Sequence, residues 1–138
     1  MLSKKYSVKG MGEIVLKGKI IGFEEITEYV MDSPFGLESP MRVLFASSSP
    51  ITFVLVNPYE IVENYTFEID DDLLRKEIGV SSGVDDLAVM CIVKVEKDCL
   101  YANLRSPLLI NTKNGRFIQV ILQEEGYPTS FPFGFRKE

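Results

Sequence analysis

The sequence predicts an all-β fold: a single compact, antiparallel, barrel-like domain over residues 1–138, with one or two short helices. Three observations carry this expectation. Ten short runs rich in Val, Ile, Phe and Tyr recur along the chain, separated by clusters of Gly, Pro, Ser and Asn, as in a sandwich or barrel. One segment stands out as helical, with apolar residues at helical spacing between good caps. Ten short strands in an open sheet would leave long unpaired edges, so a strongly curved or closed sheet is expected.

The strand candidates are residues 6–8, 13–16, 29–31, 42–46, 51–57, 65–69, 87–95, 100–104, 108–111 and 117–122. In 51–56, Ile51, Phe53 and Leu55 oppose Thr52, Val54 and Val56, and both sets are largely apolar. That strand is expected at the centre of the sheet, covered on both faces. In 117–122, Ile118, Val120 and Leu122 oppose Phe117, Gln119 and Ile121, and the first set is expected to face the core. Asn114-Gly115 predicts a type I′ hairpin, because both central residues of that turn need positive φ. Residues 32–40 and 47–50 read as loops by their Ser, Pro and Gly content. The helix starts at an Asp70 cap, runs through DDLLRKEI and stops at Gly79. Asp71 and Asp72 favour the positive end of its dipole, and Leu73, Leu74 and Ile78 supply its apolar stripe. A second helical turn is expected over 23–28. No linker, repeat or low-complexity tract interrupts the chain.

Composition narrows the class. An apolar fraction of 46% with 25% charged residues argues against disorder. Cys91, inside the run AVMCIV, reads as a small buried hydrophobe, and Cys99 as a free thiol at a turn. Two reduced cysteines suit the cytoplasm. The segment MLSKKYSVKGMGE has no apolar stretch behind its lysines, so it is not a secretory signal. No apolar run approaches the roughly 20 residues that span a bilayer. The sequon Asn64-Tyr65-Thr66 is therefore discounted. A net charge of −5 opposes nucleic-acid binding and favours approach of a basic partner.

Catalytic chemistry finds no footing. The absence of histidine removes Ser-His and Cys-His nucleophiles and the commonest metal ligand. The two cysteines give no metal spacing, and no Gly-rich phosphate loop exists. Asp70-Asp71-Asp72 is explained by helix capping, because consecutive residues do not converge on one ion. Asp85-Asp86, Glu24-Glu25 and Glu124-Glu125 read as solvated acids. Ser47-Ser48-Ser49 reads as a turn, with a Ser-Lys hydrolase kept as a weak alternative. Tyr59, Tyr65, Phe67 and Tyr101 lack the interleaved cations of a base-stacking platform and read as packing. The tail YPTSFPFGF either folds back on the barrel or presents an aromatic patch to a partner.

The chain resembles the FliW family of bacterial flagellar assembly factors over nearly its whole length. The signature is Asn103-Leu104, Pro107, Leu108-Leu109-Ile110-Asn111, Gly115 and Gln119-Val120-Ile121-Leu122. ITFVLVNP at 51–58, Gly12-Glu13-Ile14, Gly22-Phe23-Glu24 and Tyr127-Pro128 match in the same order, as do strand, acidic cap, helix and Gly over 65–80. Ile21 departs from the family's proline, and Ser130-Phe131 replace a common Arg-His pair. The resemblance implies a non-enzymatic antiparallel barrel without cofactor or metal, monomeric when free. It also implies binding of cytoplasmic flagellin and of the RNA-binding translational regulator CsrA. Non-competitive antagonism of CsrA then relieves repression of flagellin translation. The candidate partner contacts in the matched motifs are Gly22, Phe23, Glu24, Asn57, Pro58, Tyr59, Asn103, Arg105 and Asn111. Each has a structural alternative: Gly22 as a turn, Pro58 as a strand stop, Asn111 as a backbone ligand. A barrel enclosing a small apolar ligand in a cavity of roughly 300 Å3 or more is the other class of function.

Overall fold

The computed structural model describes residues 13–80 and 86–135. Its strands are β1 (Ile14–Lys19), β2 (Glu28–Asp32), β3 (Met41–Ala46), β4 (Thr52–Val56), β5 (Leu87–Glu96), β6 (Cys99–Ala102), β7 (Leu108–Asn111), β8 (Arg116–Gln119) and β9 (Phe131–Phe135). A 3₁₀ turn, Pro58–Glu60, follows β4, and helix α1 spans Asp71–Ile78. Strands β1, β2, β3, β4, β5, β7 and β8 form a ring, closed by pairing of β4 with β5 and of β8 with β1. The β1–β8 ladder is parallel and the others are antiparallel. Strand β5 is long enough to serve three neighbours: β7 along 87–90, β4 along 91–93, and β6 along 93–96. Strand β9 then pairs with β6 outside the ring.

Period-2 alternation sorts the side chains into two cores. Leu16, Tyr29, Met31, Leu44, Leu55, Ala88, Met90, Leu108, Ile110 and Phe117 fill the barrel interior. Leu87, Val89, Cys91 and Leu109 point the other way, into a second core under α1, the 3₁₀ turn and Tyr65, Phe67, Leu104 and Leu122. The run LAVMCIV is nearly continuous because β5 is covered on both faces there. Central β4 is flanked by β3 and β5 as expected. It is fully covered only at Leu55 and Val56, while Thr52 is exposed. In β8, Phe117 enters the barrel while Ile118 joins the second core, as do Val120 and Leu122 just beyond the strand.

Helix α1 follows its sequence signals. The Asp70 carboxylate accepts the Asp72 N–H at 2.9 Å. Gly79, at φ 80°, sends its N–H to the Leu74 carbonyl at 2.9 Å, the left-handed stop that glycine makes inexpensive. Leu74 and Ile78 are buried, whereas Leu73 is 38% exposed and lies off the stripe.

Three further expectations about local structure are corrected. Residues 65–69 alternate as a strand should, with Tyr65 and Phe67 buried, yet join no ladder. The Tyr127 hydroxyl accepts the Thr66 N–H at 2.9 Å and donates to the Thr66 carbonyl at 2.8 Å, standing in for a neighbouring strand. Residues 23–28 form turns instead of a helical turn, with Phe23 N–H on the Ile20 carbonyl and Ile26 N–H on the Phe23 carbonyl. The β7–β8 connection is a four-residue loop, 112–115, in which Gly115 alone has positive φ (77°). The two-residue primed turn is Lys97-Asp98, at φ 49° and 67°, between β5 and β6. The tail supplies β9, with Phe131 and Phe133 packed on the second core. The expected strand at 6–8 lies outside the described residues.

Candidate functional site

Two groups emerge among the residues that the sequence singles out. Asn57, Pro58, Tyr59 and Asn111 are buried, and the structure gives them work within the fold. Asn57 Oδ1 accepts the Tyr59 N–H at 3.0 Å and so caps the 3₁₀ turn, while the Asn57 N–H reaches the Pro40 carbonyl at 2.8 Å. Asn111 Nδ2 donates to the Ile78 carbonyl at 2.8 Å, and its Oδ1 accepts the Lys113 N–H at 2.9 Å. Asn114 Nδ2 and the Arg116 guanidinium reach the carbonyls of Ile78 and Glu77. The β7–β8 hairpin therefore caps the carbonyl end of α1 from three side chains, which favours donors there.

Gly22, Phe23, Glu24 and Arg105 are exposed. Gly22 sits at φ 93° with open space around its α-carbon. Its N–H donates to the Glu24 carboxylate at 3.1 Å. That bond, together with Glu24's own N–H, holds the carboxyl below its usual range, and Lys19 adds attraction. Phe23 is 39% exposed and meets Phe53 edge-on with ring centroids 5.1 Å apart. An open cleft of about 350 Å3 runs past Gly22, Phe23, Glu24 and Ile51. Asn103 Oδ1 accepts the N–H groups of both Arg105 and Ser106 at 3.1 Å, an Asx turn that presents Arg105 outward.

The two exposed segments are joined by a residue that sequence reasoning matched in the family signature but did not single out as a site residue. Gln119 accepts the Ile21 N–H at 2.8 Å and donates to the Ser106 carbonyl at 3.0 Å. Its signal was a polar amide within the apolar run FIQVIL. A cleft of about 690 Å3 lies at this seam, lined by Lys17, Lys19, Glu24, Arg116, Phe117 and Gln119 among others. Positive and negative groups mix there, so the cleft favours neither sign of ligand. Among the described residues no cluster of three or more Cys, Asp or Glu could hold a metal ion. No helix among them is long and apolar enough to cross a membrane. Cys91 is buried and Cys99 partly exposed, both as free thiols.

Fold and surface together define a small closed β-barrel protein with a helix-backed flank and an exposed aromatic loop. Comparison with known proteins sharpens that class. Residues 3–133 match the family described as FliW protein, and the chain belongs to that family of flagellar assembly factors. It is 35% identical over 113 residues to the flagellar assembly factor FliW of Alkaliphilus metalliredigens, covering 80% of this chain and 68% of that one. It is 33% identical over 119 residues to the Caldicellulosiruptor bescii protein of the same name, covering 81% and 73%. For the Bacillus subtilis protein the identity is 30% over 124 residues, covering 88% and 85%. A crystal structure of the flagellar assembly factor FliW superposes with a TM-score of 0.76 at 28% identity, covering 98% of this chain and 99% of that one.

Proposed function

We propose that this chain is a non-enzymatic, cytoplasmic regulator that binds flagellin and antagonises CsrA without competing for its RNA site. The supporting observation is the Phe23 loop. An exposed aromatic side chain is held by a Gly22–Glu24 bond and, one residue earlier, by Gln119. Such a fixed aromatic anchor is the kind of group that carries binding energy at protein interfaces. Membership in a family of flagellar assembly factors supplies the biological setting. Flagellin occupies the factor while subunits accumulate; export frees it to bind CsrA, and flagellin translation resumes. Antagonism at a separate surface is a coupling free energy of about 1–3 kcal/mol that acts in both directions.

Isothermal titration with cytoplasmic flagellin is the test, and a micromolar or tighter Kd is expected. No heat of binding at tens of micromolar removes the reading. For CsrA, added factor should weaken leader-RNA binding to a plateau that excess RNA does not overcome.

A further inference from the structure

Of the five asparagines in this chain, only Asn114 is followed by glycine. That order matters chemically. The backbone nitrogen of the following residue can attack the asparagine side-chain carbonyl carbon, and glycine has no side chain to obstruct the approach. Asn57 precedes a proline, whose nitrogen bears no hydrogen. Asn64, Asn103 and Asn111 precede Tyr, Leu and Thr, whose side chains crowd the attack. Asn114 is exposed, so water reaches its amide.

The fold restrains both reacting groups. The Gly115 N–H donates to the Asn111 carbonyl at 2.8 Å, and the Gly115 carbonyl accepts the Lys17 N–H at 2.8 Å. Gly115 is buried, and a β-carbon on it would lie 2.3 Å from the Val15 carbonyl oxygen. The 114–115 peptide therefore has no room to turn. On the side chain, Asn114 Oδ1 accepts the Arg116 N–H at 2.9 Å, and Nδ2 donates to the Ile78 carbonyl at 3.3 Å. An N–H already engaged with a carbonyl is a poorer acid than a free one. A side chain tied to α1 does not swing freely toward its neighbour's nitrogen. Three elements hold the peptide: β1 through Lys17, α1 through Ile78, and the hairpin itself through Asn111 and Arg116.

We infer that Asn114 is a deamidation site that the closed barrel keeps latent and that becomes reactive when the β7–β8 hairpin parts from α1 and β1. In the open state the Gly115 nitrogen gives up its proton and bonds to Asn114 Cγ. The Cγ–Nδ2 bond breaks, and Nδ2 leaves as ammonia after taking up one proton. Water then adds across the succinimide ring. Cleavage at Cγ gives aspartate, and cleavage at the main-chain carbonyl gives isoaspartate. The change runs one way. Either product has lost the Nδ2 donor to Ile78 and carries a new negative charge near the negative end of the α1 dipole. Isoaspartate also lengthens the main chain by one atom, just before a glycine with no space to shift. A molecule that opens and reacts closes less well afterwards, so the site keeps a covalent record of opening.

The test follows the full chain by peptide mapping in mildly alkaline buffer, folded and in urea. Asn114 should deamidate at least about tenfold more slowly in the folded protein, because reaction waits on local opening. Asn111→Leu removes the side-chain tie to Ile78. It should speed the folded-state reaction, in step with faster hydrogen exchange of the Gly115 amide. Tyr127→Phe loses the Thr66 bonds and none in the hairpin, so it should leave the Asn114 rate at the wild-type value. The deamidated fraction, separated by its added negative charge, should unfold at lower urea than its parent. Equal rates folded and in urea, or a rate in Asn111→Leu no faster than wild type, overturns the inference. Acceleration by Tyr127→Phe matching that of Asn111→Leu, or a deamidated fraction as stable as its parent, does the same.

Discussion

Asn111 on β7 donates its side-chain amide to the carbonyl of Ile78, the last residue of α1, at 2.8 Å. The helix is thereby fastened to the barrel by a buried polar bond as well as by Leu74 and Ile78 in the second core. Replacing Asn111 with Leu leaves the Ile78 carbonyl and the Lys113 N–H without this partner. Loss of buried bonds of this kind costs about 1–3 kcal/mol. Urea unfolding should show the midpoint lowered, with Asn114→Ala lowering it less because its bond to Ile78 is 3.3 Å.

Barrel closure depends on two glycines at the parallel seam, Gly18 on β1 opposite Phe117 and Gly115 beside Val15 just before β8. A β-carbon at Gly18 would lie 2.2 Å from the Phe117 carbonyl oxygen, and one at Gly115 would lie 2.3 Å from that of Val15. Neither neighbour is a flexible side-chain tip. Gly18→Ala should cost about 1–3 kcal/mol through forced separation of the strands. Gly115→Ala should cost more, because φ 77° adds backbone strain. Hydrogen exchange of the Lys17 amide, bonded to the Gly115 carbonyl at 2.8 Å, should accelerate in both variants.

Lys97 pays the left-handed penalty without the tolerance of Asn or Gly, at φ 49° in the β5–β6 turn. Lys97→Asn should raise stability by about 0.5 kcal/mol, since Asn accepts this region more readily. Lys97→Val should lower it by more than that. Paired denaturation curves with an unchanged m-value check both.

Alkaline pH should unfold the protein through Cys91 first. Burial pushes its thiol up to about 12 from an ordinary 9. Below pH 9 the thiol is protonated in both states and this contribution is whole. Above it the unfolded chain releases a proton that the folded chain retains, so stability falls until the folded group also titrates. Three units correspond to about 4 kcal/mol. Burial also raises the hydroxyls of Tyr65 and Tyr29, which steepens the loss above pH 10. Cys91→Ala should flatten the pH 9–10 part of the curve.

Partner contact and fold maintenance should separate by mutation. Phe23→Ser should weaken flagellin binding about tenfold, within the range of interface anchors, with little change in Tm. Asn57→Ala should lower Tm, because it strips the cap from a buried turn, and should leave affinity of the folded fraction unchanged. Titration calorimetry beside thermal melts distinguishes the two.

What the sequence disclosed, and what it did not, follows from the range of the forces involved. The α1 caps at Asp70 and Gly79, the central place of β4 and the double burial of Cys91 are local patterns, and they were legible. Residues 65–69 misled because burial alternates there while the hydrogen bonds come from Tyr127, some 60 positions away. The primed turn was assigned to Asn114-Gly115 by residue preference. Capping of α1 by Asn111 and Asn114 is a tertiary demand that favours the longer loop. Among the site residues, the backbone-ligand alternative for Asn111 was legible, but only the fold reveals that it serves the Ile78 carbonyl and the Lys113 N–H, and that Asn57 serves the Tyr59 N–H. Gln119, matched in the family signature, was not picked as a site residue for the same reason.

The parallel pairing of β1 with β8 also sets an order on biosynthesis. Strands β1 to β4 leave the ribosome as a curled meander whose β1 edge has no neighbour until residues 116–119 are made. Nearly the whole chain must be translated before that edge is protected, so the nascent protein carries a sticky rim for most of its elongation. A stop codon ahead of Arg116 would therefore yield material prone to aggregate, not a smaller working barrel.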